Sequence, residues 1–119
     1  MKIVVNGSEL FYEVTGQGRT MILVHGNGED HHIFDQLVEV LKEYYTCYCI
    51  DSRGHGESSK VEKYSYQTMA EDIMDFIKKL GLTDVVYYGF SDGGIVGLLV
   101  ASQSDLINDL IISGANIEP

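Results

Sequence analysis

Basic residues are scarce in this chain: 8 lysines and arginines stand against 18 aspartates and glutamates, a formal net charge of −10 over 119 residues. A surface that binds phosphates needs a basic patch, so nucleic acid and anionic membrane surfaces are excluded as expected partners. Long apolar runs are missing as well. No segment reaches the length of a membrane-spanning helix, and the opening Met1-Lys2-Ile3-Val4-Val5-Asn6-Gly7 lacks the apolar stretch and cleavage site of a signal peptide. Cysteines number only two, Cys47 and Cys49. On a strand they share a face, where a disulfide between such near neighbours is strained, and the run 44–50 offers no further metal ligands. They read as small core residues of a protein in a reducing cytoplasm. Neither G-x-G-x-x-G nor a Walker lysine is present, so no cofactor is expected. With 45% hydrophobic residues and one proline, the composition is that of a soluble protein with one domain spanning residues 1–119.

The alternation of apolar and polar residues in 2–5 and 9–14, around Asn6-Gly7, predicts a β-hairpin. Met21-Ile22-Leu23-Val24 is wholly apolar, as expected of a strand buried on both faces. Ile33, Leu37, Val40 and Leu41 fall at helical spacing. Residues 45–50 predict a strand. Met69, Ile73, Phe76, Ile77 and Leu80 mark an amphipathic helix closed by Gly81. A strand over 85–88, a helix over 93–102 and a strand over 110–112 complete the pattern. The fold class is therefore α/β: a mostly parallel sheet with an N-terminal antiparallel hairpin and helices on both faces. Active sites of such sheets lie beyond the carboxyl ends of the strands.

Three short motifs follow strand ends: His25-Gly26-Asn27-Gly28, then Asp51-Ser52-Arg53-Gly54-His55-Gly56-Glu57-Ser58, and Gly89-Phe90-Ser91-Asp92-Gly93-Gly94. The last contains G-x-S-x-G between an apolar strand and an apolar helix, the setting of a nucleophile elbow. Its serine is held at a sharp turn with the hydroxyl exposed, and its glycines are needed because a Cβ would collide with neighbouring backbone. In these motifs, their order and their spacing, the chain resembles the N-terminal portion of the α/β-hydrolase superfamily, in its esterase, lipase and epoxide-hydrolase-like branch. The resemblance implies a truncated α/β-hydrolase fold lacking the cap and the last strands. It implies Ser91 as nucleophile on a small-molecule ester or acyl substrate, and the backbone N–H groups of Asn27 and Asp92 as the oxyanion hole, each donor worth about 3 kcal/mol of barrier. By the same resemblance His25 shapes its loop, while Arg53 and His55 hold turns together. His31 and His32 follow Glu29 and Asp30 at a helix start. Neighbours at i and i+1 do not face each other on a helix, so the pair is expected in solvent and no metal site is expected. The tyrosines are expected in the core or at the rim.

The family's order is Ser, then an acid, then His, yet no histidine follows His55. Asp105 and Asp109 precede or begin the last strand, at the wrong end of the sheet, which leaves Glu118 as the candidate acid. Without a base the serine stays a neutral alcohol, and loss of a triad costs roughly a million-fold in turnover. The chain is therefore expected to be nearly inactive alone, unless a partner supplies the histidine. The alternative reading is a non-catalytic binding or self-assembling module that keeps the elbow as scaffold. The last strand, apolar and unpaired on one side, is expected to drive homo-oligomer formation.

Overall fold

The computed structural model describes residues 1–61 and 63–114. Six strands form one sheet: β1 (Lys2–Val5), β2 (Ser8–Gly16), β3 (Arg19–Val24), β4 (Tyr45–Ile50), β5 (Val86–Phe90) and β6 (Asp109–Ser113). Three α-helices connect them, α1 (Asp35–Leu41), α2 (Tyr66–Leu80) and α3 (Asp92–Gln103), with a 3-10 turn over His31–Phe34 leading into α1. The strand order is β1-β2-β4-β3-β5-β6. The pairs β1–β2 and β2–β4 are antiparallel, whereas β4, β3, β5 and β6 run parallel. The hairpin turn takes left-handed backbone at both central residues, Asn6 (φ 48) and Gly7 (φ 75). That twist matches the flanking strands, and Asn-Gly tolerates it best.

Burial on both sides explains the unbroken apolar run of β3. Ile22 and Val24 face a core made with Leu10, Ile50, Tyr87 and the inner faces of α2 and α3. Met21 and Leu23 face the other side, against Phe34, Val38, Cys47, Cys49 and Val86. Helices thus cover both faces. Helix α2 begins at Ser65, whose side chain accepts from Thr68 N–H, and ends at Gly81 in left-handed backbone. Its buried Met69, Ile73, Phe76 and Ile77 contribute about 1.5–3 kcal/mol each by leaving water.

The helix over 33–41 is displaced from the sequence expectation. The chain turns first through the 3-10 segment, with Asp30 accepting from His32 N–H. The tighter turn shifts the phase of α1: Phe34 and Val38 are buried, Leu37 and Leu41 pack against them as expected, while Ile33 and Val40 lie exposed. Both cysteines are buried on one face of β4, as their spacing requires. Burial pushes the Cys49 thiol up to about 12, so it stays protonated and unreactive.

Candidate active site

The carboxyl ends of β3, β4 and β5 bring the three motifs together. Ser91 sits between β5 and α3 with φ 57 and ψ −121, a left-handed conformation that a non-glycine residue rarely adopts. Close packing forces the turn. A Cβ on Gly89 would lie 2.5 Å from the Gly93 carbonyl oxygen, and one on Gly93 would strike the Val24 carbonyl. The Ser91 N–H donates to the Ser113 carbonyl at 2.8 Å, and its own carbonyl accepts from Gly94 N–H at 2.9 Å. Ser91 occupies the N-cap of α3, a position where serine usually bonds backbone N–H groups, yet its side chain makes no capping bond. The hydroxyl is left half-exposed at the positive end of a helix.

Gly26 faces this serine: a Cβ there would lie 2.9 Å from Ser91 Cβ and 3.3 Å from Oγ. The Gly26 N–H donates to Glu29 Oε1 at 2.8 Å, and the same carboxylate oxygen borders the Gly26–Ser91 gap. Glu29 was invisible to motif reasoning at this position, because only the fold of the 25–30 loop turns it inward. Asn27 is exposed, and its Oδ1 accepts from the Tyr64 hydroxyl at 3.0 Å and lies 3.3 Å from His55 Nε2. Asp92 accepts from the Tyr66 hydroxyl at 2.9 Å, which pushes the Tyr66 phenol up. Asn27, Tyr64, Tyr66, Met69 and Asp92 line an open pocket of about 350 Å³ beside the elbow.

All four histidines are engaged elsewhere. His25 is buried, with Nδ1 donating to the Gly26 carbonyl at 2.7 Å and Nε2 accepting from Ser52 N–H at 3.0 Å. Desolvation holds its pKa below the ordinary imidazole value. His55 turns Nδ1 to the Arg53 carbonyl at 3.0 Å, so it braces Asn27 from behind. Arg53 binds Asp72 on α2 through two bonds of 2.8 and 2.7 Å. Among the described residues, no hydrogen bond links Ser91 Oγ to a histidine or an acid. Asp109 begins β6 and pairs with Arg19 at the start of β3, the end of the sheet remote from Ser91. Glu118 lies outside the described residues.

His32 is exposed as expected, whereas His31 departs from expectation. His31 is 2% exposed, not solvated, and both its N–H and its Nδ1 bond Oδ1 of the fully buried Asp51, at 2.8 and 2.7 Å. The two rings do face one another, with centroids 4.0 Å apart and planes tilted 34°. Each ring is held by its own carboxylate, His31 by Asp51 and His32 by Asp30.

The family model for the alpha/beta hydrolase fold matches residues 19–119. The chain belongs to this family. It is 39% identical over 93 residues to a non-heme chloroperoxidase of Kitasatospora aureofaciens, covering 75% of this chain and 33% of that protein. It is 33% identical over 124 aligned positions to a serine hydrolase of Homo sapiens, covering 97% of this chain and 42% of the relative. Among solved structures, a thermophilic esterase from Thermogutta terrifontis superposes with a TM-score of 0.91 at 29% identity, over 100% of this chain and 46% of the esterase. The chain thus spans less than half the length of these relatives.

Proposed function

We propose that Ser91 is the nucleophile of an ester- or acyl-cleaving site on a small-molecule substrate. The observation that carries this reading is the uncapped hydroxyl of Ser91, held in left-handed backbone at the strand-to-helix turn. In the reaction Oγ bonds the acyl carbon while its proton passes to a base. The tetrahedral oxyanion is met by the N–H groups of Asn27 and Asp92, the leaving alcohol departs with a proton, and water then cleaves the acyl-enzyme. Relatives named as an esterase and a serine hydrolase support the class of reaction. The aromatic rim of Tyr64 and Tyr66 suits an apolar acyl or alcohol group.

Among the described residues the four histidines are all bonded away from Ser91, which supports a nucleophile without its base in this part of the chain. Residual rate enhancement then comes from the oxyanion hole and binding alone, on the order of a thousand-fold over water. The same observation favours a second reading, a binding module that retains the elbow as scaffold.

Intact-mass spectrometry after incubation with a fluorophosphonate separates the two. A single adduct on the wild-type chain that disappears in Ser91→Ala is the expected result if a base reaches Ser91, within the chain or from a partner. A folded chain that takes no adduct has the elbow without an activated serine, which supports the second reading.

A further inference from the structure

A second cluster lies on the α1 face of the sheet, and its lining shares no residue with the pocket beside Ser91. We propose that His31, with Glu13 on one side and the Asp30–His32 pair on the other, anchors a binding site for a divalent transition-metal ion of the zinc type. His31 carries the argument. Its Nδ1 is committed to Asp51, a carboxylate with no solvent exposure, so this nitrogen bears the proton and Nε2 presents a lone pair. A carboxylate behind a histidine is the arrangement that orients imidazole toward a metal and raises its basicity. Nε2 itself is buried and has no hydrogen-bond partner. A buried polar atom left so costs about 1–3 kcal/mol, and a cation at Nε2 removes that cost.

The nearest charged atom to answer Nε2 is Glu13 Oε1 on β2, 3.5 Å away. With the proton on Nδ1 both are acceptors, and a cation between them, a second proton or a metal ion, is what joins them. Two donor atoms each about 2.0–2.1 Å from one tetrahedral zinc ion lie about 3.4 Å apart, close to the observed separation. On the other side of His31, Asp30, His31 and His32 each offer a ligand atom within 4.8 Å of the others, and His32 Nδ1 is turned to Asp30 at 3.1 Å. The adjoining cavity of about 230 Å³ is lined by Glu13, Asp35 and Glu39 with no lysine or arginine, so the local field favours a cation. Mixed imidazole and carboxylate donors suit zinc, nickel or cobalt better than the all-oxygen preference of calcium and magnesium.

Calorimetric titration of the full chain with Zn²⁺, in a non-chelating buffer, tests the site. The expected result is one ion per chain, with affinity reduced at least about tenfold in Glu13→Gln and lost in His31→Gln. Because His31 also braces Asp51, the His31 variant has its fold checked by thermal melting. If it does not fold, Glu13→Gln alone decides, since that side chain is half-exposed on β2. Titration with Co²⁺ adds a second readout, a strong visible absorption if the site is tetrahedral. Absence of saturable binding, or an affinity unchanged in Glu13→Gln, overturns the proposal. The latter would mean that any ion sits on the exposed His32–Asp30 pair alone.

Discussion

His25 lies at the end of the central strand β3 with both ring nitrogens bonded to backbone, and these bonds fix it as the neutral tautomer protonated at Nδ1. Burial lowers its pKa, so below about pH 6.5 the unfolded chain takes up a proton that the folded chain resists. This contribution to stability is complete above the unfolded value and declines as pH falls toward the folded one. His32 pulls the other way, its exposed ring raised by the hydrogen bond to Asp30, but solvent screening keeps that effect small. Unfolding midpoints in urea measured from pH 7.5 to 5 are expected to fall. His25→Gln is expected to start lower and to flatten the slope, and an unchanged slope would shift responsibility to another group. The same residue shows what the sequence made legible. His25 and Ser91 were found because they sit in contiguous motifs whose geometry is local. The burial of His31 was not, because its partner Asp51 is 20 positions away and nothing near His31 in sequence announces it.

Among the elements, the segment after β4 and helix α2 are joined by the ion pair of Arg53 and Asp72, whose side chains are only 12% and 3% exposed. Arg53 also donates to the Asn6 carbonyl at 3.1 Å, so one guanidinium ties the hairpin turn, the loop and the helix. Breaking a buried pair from one side strands the other charge and costs about 3–5 kcal/mol. Arg53→Met is expected to destabilise by roughly that amount in chemical denaturation, and adding Asp72→Leu to recover a large part of it. If the double variant is no more stable than the single one, the pair's value lies in the Asn6 contact. Helix α2 was readable because its apolar stripe and its Ser65 and Gly81 caps agree. Helix α1 was misphased because the 3-10 turn that precedes it consumes residues at a different rate per turn, a change that apolar spacing alone does not encode.

For the molecule as a whole, the direction of the strands was legible from their alternation with helices, whereas their order in the sheet and the partners of its edges were not. Among the described residues β6 pairs only with β5, and Ile111 and Ile112 are 43% and 37% exposed. An apolar edge of this kind invites another strand. Size-exclusion chromatography with light scattering is expected to show a dimer or larger assembly, with Ile111→Lys shifting it toward monomer; a well-folded wild-type monomer would remove the edge as an interface. The bond from Ser91 N–H to the Ser113 carbonyl gives that edge a further meaning. Ser91 is held in place by an edge strand of the sheet, so whatever docks along β6 bears on the same backbone that positions its hydroxyl. The edge of the sheet and the geometry of the turn at Ser91 thereby share one amide.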